Sequence, residues 1–205
     1  MLFRSSIADV SFLVGMLVDK FVYHLPLYRQ HQRLADAGIT VARATLTNLS
    51  RRSIELLVAI YIAQFEHVCT SRVLAMDETP IKAGRKGEGK MRVSYFWPIY
   101  GEDNEVCFHY ADSRAHAVVM KALGPNFKGV LLSDGYGAYA RYAKQVDTCT
   151  PASCWAHARR GFEQALMSHP DEANAALAII RALYAHEAKI KALELHDAHK
   201  LNYRT

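Results

Sequence analysis

Apolar residues recur at helical spacing through the first third of the chain. Ile7, Val10, Leu13, Val14, Leu17, Val18 and Phe21 predict a helix over residues 5–23. Pro26 opens a second helical run over Leu27–Ala37, since a proline in the first turn removes only an amide that has no helical partner there. Gly38 ends it. A third helix begins at Thr40 or Ala42 and carries Leu46, Leu49, Ile54, Leu57, Val58 and Tyr61 toward Val68. Near Cys69-Thr70-Ser71 the spacing changes to that of strands. Arg72–Met76 is a short apolar run, Met91–Tyr100 is β-branched and aromatic, and Glu105–Tyr110 returns after a turn at Gly101–Asn104. Ser113–Leu123 reads as a helix with Ser113 as N-cap and Gly124-Pro125 as terminator. Val130–Ser133 is a further buried strand. Another strand and a helix reaching about Met167 follow, and Asp171–Leu201, rich in Ala and Leu, reads as helix. Three antiparallel strands, a helix and a strand returning beside the first make a mixed α/β sheet.

Two acids stand out against this pattern. Asp77 and Asp134 each end a short apolar strand, and the strand, strand and helix between them bring those two ends side by side. Ligand and active-site groups in open α/β sheets gather at the carboxyl ends of strands. Aspartate there also serves as a turn starter or helix cap, with Glu78 solvated. Two neighbouring carboxylates repel unless a cation lies between them, and hard cations such as Mg²⁺ take oxygen ligands. A pair of such ions can clamp an in-line displacement at phosphorus.

Composition and charge narrow the partner. The chain of 205 residues is 51% hydrophobic and 22% charged, which suits a packed core rather than disorder. Its formal charge of +5 favours an anionic partner. Lys82, Arg85, Lys86, Lys90 and Arg92 crowd around Glu88 alone, in a loop that also holds Gly84, Gly87 and Gly89. Such a loop fits contact with a phosphate backbone, and equally a solvated hairpin tip. The second and third helices, joined at Gly38, resemble a helix-turn-helix that would present Arg43, Thr47 and Arg51 to DNA, although plain helical packing has the same pattern. Four irregularly spaced cysteines do not form a secreted disulfide framework. The run Phe12–Val18 is far too short to span a membrane, so the cytoplasm is the expected compartment. No nucleotide-binding motif is present.

Cys154 and His157 share a helical face, and with Cys149 they would supply three soft ligands, one short of a structural zinc site. His157 and Arg159 could instead face DNA or orient an active-site group. Glu163, one turn beyond Arg159, could be a third acid or a surface partner, whereas Glu187 and Glu194 read as solvated helix charges.

The segments His24-Leu-Pro-Leu-Tyr-Arg-Gln30, Asp77-Glu-Thr79, Ser133-Asp-Gly-Tyr136 and Cys154-Trp-Ala-His-Ala-Arg-Arg160, with Leu183-Tyr184 and Glu187, occur in an order that resembles the bacterial insertion-sequence transposases of the sixty-six family. The resemblance covers nearly the whole chain. It implies a ribonuclease-H-like fold and a DDE-type centre, with the first acid at Asp77 and the second at Asp134. It makes Cys154, His157, Arg159 and Arg160 a family signature of unassigned role. It implies Mg²⁺ or Mn²⁺ as cofactor, and transposon-end and target DNA as partners, with a second copy of the chain as a further one. Water activated at the metal would nick a transposon end, and the freed 3′-hydroxyl would attack the target.

The family's third acid, a Glu, lies beyond a helical insertion and has no counterpart here. The expectation is therefore a truncated transposase, inactive as an isolated chain, with a helical region at 1–70, a catalytic-core portion at 71–168 and the start of the insertion at 169–205. The alternatives are a non-enzymatic DNA-binding remnant acting through residues 25–55, and a ribonuclease-H-like nuclease of another kind.

Overall fold

The computed structural model describes residues 8–85 and 91–204. The chain divides into two compact units, Met1–Glu66 and His67–Thr205. In the first, helix α1 (Val10–Phe21) starts where the Asp9 carboxylate accepts the Phe12 amide at 2.8 Å. This cap supplies one of the amide partners a helix start lacks. Helix α2 (Leu27–Asp36) ends before Gly38, whose φ of 78° is the left-handed conformation that glycine adopts without a steric cost. Helix α3 (Arg43–Val68) brings Leu46 and Leu49 onto Leu13 and Met16. Gln30 is buried and donates to the carbonyls of Met16 and Leu25, which ties α2 to the end of α1.

The second unit is built on a six-stranded mixed sheet. Its strands are β1 (Val73–Met76), β2 (Thr79–Arg85), β3 (Met91–Tyr100), β4 (Val106–Ala111), β5 (Gly129–Ser133) and β6 (Cys149–Ser153). β3 pairs antiparallel with β1, β2 and β4, while β1–β5 and β5–β6 are parallel. Helix α4 (His116–Leu123) crosses from β4 to β5, and α5 (Gly137–Gln145) crosses from β5 to β6. Leu74, Met76, Trp97, Leu131 and Tyr142 are buried in the resulting core. Helices α6 (Trp155–Ala165), α7 (Pro170–Ala192) and α8 (Asp197–Arg204) follow. Among the described residues no helix is long and apolar enough to cross a membrane.

β1 and β2 run along the same side of β3 in one unbroken register: Met76 faces Ile99 and Thr79 faces Phe96. Only Asp77 and Glu78 interrupt this long strand. The residue opposite Asp77 in that register is Pro98, whose carbonyl accepts the Asp77 amide at 3.4 Å. Proline has no N–H to return, so the ladder loses a bond there. Its imide nitrogen lies on the β1 side of β3, which leaves pairing with β4 intact.

Three expectations need correction. Lys82 and Arg85, expected on a glycine-rich loop, lie on β2. Pro80 does not prevent that strand, because β2 is at the sheet edge, where a missing donor is tolerated. Lys86 and Lys90 lie outside the described residues. Ser113 is not the N-cap of α4: Ala115 holds that position, and the Ser113 hydroxyl accepts the Ala115 amide at 3.0 Å. The helix expected over Asp171–Leu201 is two helices, because Glu194 takes a φ of 51° and the Leu195 amide turns back to the Ile190 carbonyl.

Gly129 sets how closely β1 and β5 approach. A Cβ there would lie 2.3 Å from the Arg72 carbonyl oxygen, a backbone atom with no room to yield. Gly129→Ala is expected to destabilise the chain by about 1–3 kcal/mol through overpacking, measured as a lower urea midpoint with unchanged slope.

Candidate active site

The two acids are in register with one another. Val73 pairs with Val130, Leu74 with Leu131 and Ala75 with Leu132, an offset of 57 residues that also separates Asp77 from Asp134. Carrying that ladder past Ala75 puts the acids side by side at the carboxyl ends of β1 and β5. Asp134 turns the chain sharply: its carboxylate accepts the Tyr136 amide at 2.8 Å, and Gly135 follows with a φ of 89°. It is therefore both a turn starter and an edge acid, and α5 is capped by Tyr136 instead. Asp77 accepts the Glu78 amide at 2.8 Å. Asp134 is exposed, and the Asp77 side chain is 47% exposed.

Glu78 is not solvated. Alternation along the strand sends it away from Asp77, toward the helix-covered face where Trp97 lies opposite. Its side chain is fully buried. One carboxylate oxygen accepts the Arg114 guanidinium, with Nε at 2.6 Å and Nη2 closer still. The other accepts the Tyr139 hydroxyl at 2.7 Å. Burial, and then the bond to Glu78, pushes the Tyr139 phenol well above its ordinary range, so it stays a donor. The hydrogen bond to Glu78 likewise raises Arg114. The Tyr139 ring packs edge-on against Trp97 with centroids 6.0 Å apart. Oxygen atoms of Asp77, Glu78 and Asp134 can all lie within 4.8 Å of one another.

β6 delivers the Cys-x-x-His element to the same edge. Ser133 pairs with Ser153, and the Cys154 amide donates to the Ser133 carbonyl at 2.8 Å. Cys154 sits at the N-cap position of α6, and His157 lies in the helix's first turn. His157 Nε2 is 3.9 Å from Asp77 Oδ2, while its buried Nδ1 has no hydrogen-bond partner among the described residues. Cys149 begins β6 and Cys154 follows its end, so the three soft ligands do not converge on one ion.

The other candidates sit on other elements, several of them already paired. Arg159 bonds Glu163 at 2.7 Å, and Arg204 holds Glu187 with two bonds of 2.6 Å. Arg160 is exposed on α6. Arg43 begins α3, and Arg51 is paired with Glu55 at 2.6 Å. A cleft of about 370 Å³ is lined by Arg159, Glu163, Leu177, Arg181 and Tyr184 and by none of the three clustered acids. Of the three, Asp77 and Asp134 are open to solvent, while Glu78 is buried.

Sequence reasoning missed Glu78, Arg114, Tyr136 and Tyr139. One signal for the last two was present, since tyrosines three apart in the turn after an edge acid share a helical face. Tyr139→Phe keeps the ring on Trp97 but leaves a buried carboxylate oxygen without its donor. It is expected to cost about 1–3 kcal/mol, read by urea denaturation. An unchanged midpoint would mean Glu78 finds another donor.

The Transposase IS66 family model matches residues 5–205. The chain is 29% identical over 204 residues to uncharacterized protein y4jD of Sinorhizobium fredii, covering 93% of this chain and 40% of that protein. It is 30% identical over 177 residues to uncharacterized protein y4qI of the same organism, covering 78% of this chain and 32% of that one. The chain thus spans well under half the length of these relatives. With a family model matched from residue 5 to residue 205, the chain belongs to the IS66 transposase family.

Proposed function

We propose that this chain supplies two acids of a DDE-type centre for metal-dependent DNA strand cleavage and transfer, on a ribonuclease-H-like core. The observation that carries the reading is the shared register of Asp77 and Asp134 at neighbouring parallel strand ends. The strand arrangement agrees with it, with three antiparallel strands joined through β1 to two parallel ones.

The donor set fits Mg²⁺ or Mn²⁺. Asp77 and Asp134 offer carboxylate oxygens to a hard cation, and neither is ion-paired with a lysine or arginine among the described residues. Asp77 and Asp134 would hold the ion, which when bound supplies an activated water or 3′-hydroxyl and stabilises charge on the phosphate. The chain's own residues fix the geometry. The Asp134 carboxylate is aimed by the Tyr136 amide and that of Asp77 by the Glu78 amide. Lys82 and Arg85 on β2, with Lys86 and Lys90 beyond it, would contact the DNA backbone, as would Arg43 and Arg51 on α3.

Glu78, Glu163 and Glu187 are each held by an arginine, so none of these three stands as an open third acid. A complete DDE set would then draw its last carboxylate from an acid other than these three. The 205-residue chain alone is expected to bind Mn²⁺, detected by water-proton relaxation, and to leave transposon-end DNA uncut. Asp77→Asn and Asp134→Asn should each abolish that binding. Mn²⁺ binding unchanged in both variants would overturn the metal reading. Robust cutting that Asp134→Asn abolishes would place the third acid within this chain.

A further inference from the structure

We infer that Glu78, Arg114 and Tyr136, closed by Tyr139, form a brace that holds the Asp77 and Asp134 turns at ligand spacing, and that Glu78 positions the centre rather than serving as a third ligand. The second half of this inference rests on the metal reading above; the first does not.

Three carboxylates within 4.8 Å invite assignment as one ligand set. The surroundings of Glu78 argue otherwise. Both its oxygens are engaged, one by the Arg114 fork and the other by the Tyr139 hydroxyl. The half-exposed guanidinium already balances the charge of this wholly buried carboxylate. A divalent ion drawn onto the same carboxylate would meet that fixed cation at close range. Among the described residues, neither Asp77 nor Asp134 makes an ion pair with an arginine or lysine, although Arg114 feels the charge of Asp134.

The contacts continue from one acid to the other. The Glu78 amide donates to Asp77, and the Glu78 carboxylate takes Arg114. The Arg114 guanidinium lies 4.0 Å from the centroid of the Tyr136 ring, a cation–π contact. The Tyr136 hydroxyl donates back to the Arg114 carbonyl at 3.1 Å, and the Tyr136 amide donates to Asp134 at 2.8 Å. Tyr139, one turn along α5, closes the loop onto Glu78. Every link from Asp77 to Asp134 is a contact of this chain's own residues. Arginine suits the central position because its planar fork bonds a carboxylate while its face stacks on a ring, which lysine cannot do.

Two conservative variants test the brace in the metal-free chain. In Glu78→Gln a carboxamide replaces the acceptor of the Arg114 fork, and in Arg114→Lys the charge stays while the fork and the stack are lost. Hydrogen exchange at the residue 78 and Tyr136 amides should quicken about tenfold or more, the scale of one hydrogen bond to a charged group, while the amides of α7 keep their rates. Unchanged exchange at both amides overturns the brace, whatever binds metal.

The second readout is Mn²⁺ affinity. Arg114→Lys should weaken it about 10–100-fold, as loss of a residue supporting the ligands does. If Glu78 were a ligand restrained by Arg114, Arg114→Lys would leave affinity equal or raise it, and Glu78→Gln would abolish binding as Asp77→Asn does. Either result overturns the positioning role. If Asp77→Asn and Asp134→Asn leave Mn²⁺ binding intact, the metal reading falls, and the exchange rates still decide the brace.

Discussion

Parallel pairing of β1 with β5 is the constraint on which the second unit depends. Leu74 and Leu131 face one another in that ladder and both are buried. A slip of one residue would turn each to the opposite face of the sheet. Exposing a buried leucine costs roughly 1.5–3 kcal/mol, so the core enforces the register. The same register sets Asp77 beside Asp134. Carboxylate spacing at the edge is thus guarded by hydrophobic burial two or three residues away, and the acids need no mutual attraction, which they could not have.

Much of this was legible in the sequence, for identifiable reasons. Helical spacing located α1, α2 and α3, since each must bury one stripe, and the β-branched and aromatic runs located β3 and β4. The pairing of Asp77 with Asp134 could be read because both strands are short and end in the acid. β2 was hidden because Pro80 and its glycines weigh against a strand, and only the ladder on β3 overrides them. The break between α7 and α8 was hidden because its left-handed residue is Glu194 rather than glycine. The burial of Glu78 depends on which face of the sheet the helices cover. Its partners Arg114 and Tyr139 come from separate elements, and no local pattern announces a contact made across three of them.

The architecture divides labour between the two faces of one strand end. Toward the helices, Glu78 meets Arg114, Tyr139 and the Trp97 packing in a site closed to water. Toward the open edge, Asp77 and Asp134 face solvent beside the partly exposed His157 ring.

Pro98 has a consequence of a different kind. It bears no charge, offers no side-chain donor or acceptor, and lies on a different strand from either acid. Yet at Asp77 the ladder keeps only the bond from the Asp77 amide to the Pro98 carbonyl, because Pro98 has no N–H to return. A site of this sort is written partly in what the neighbouring strand withholds. Any other amino acid at that position would return the missing donor and favour zipping the long strand through residue 77. The carboxylate would still be spelled in the sequence, but the backbone beneath it would belong to the sheet.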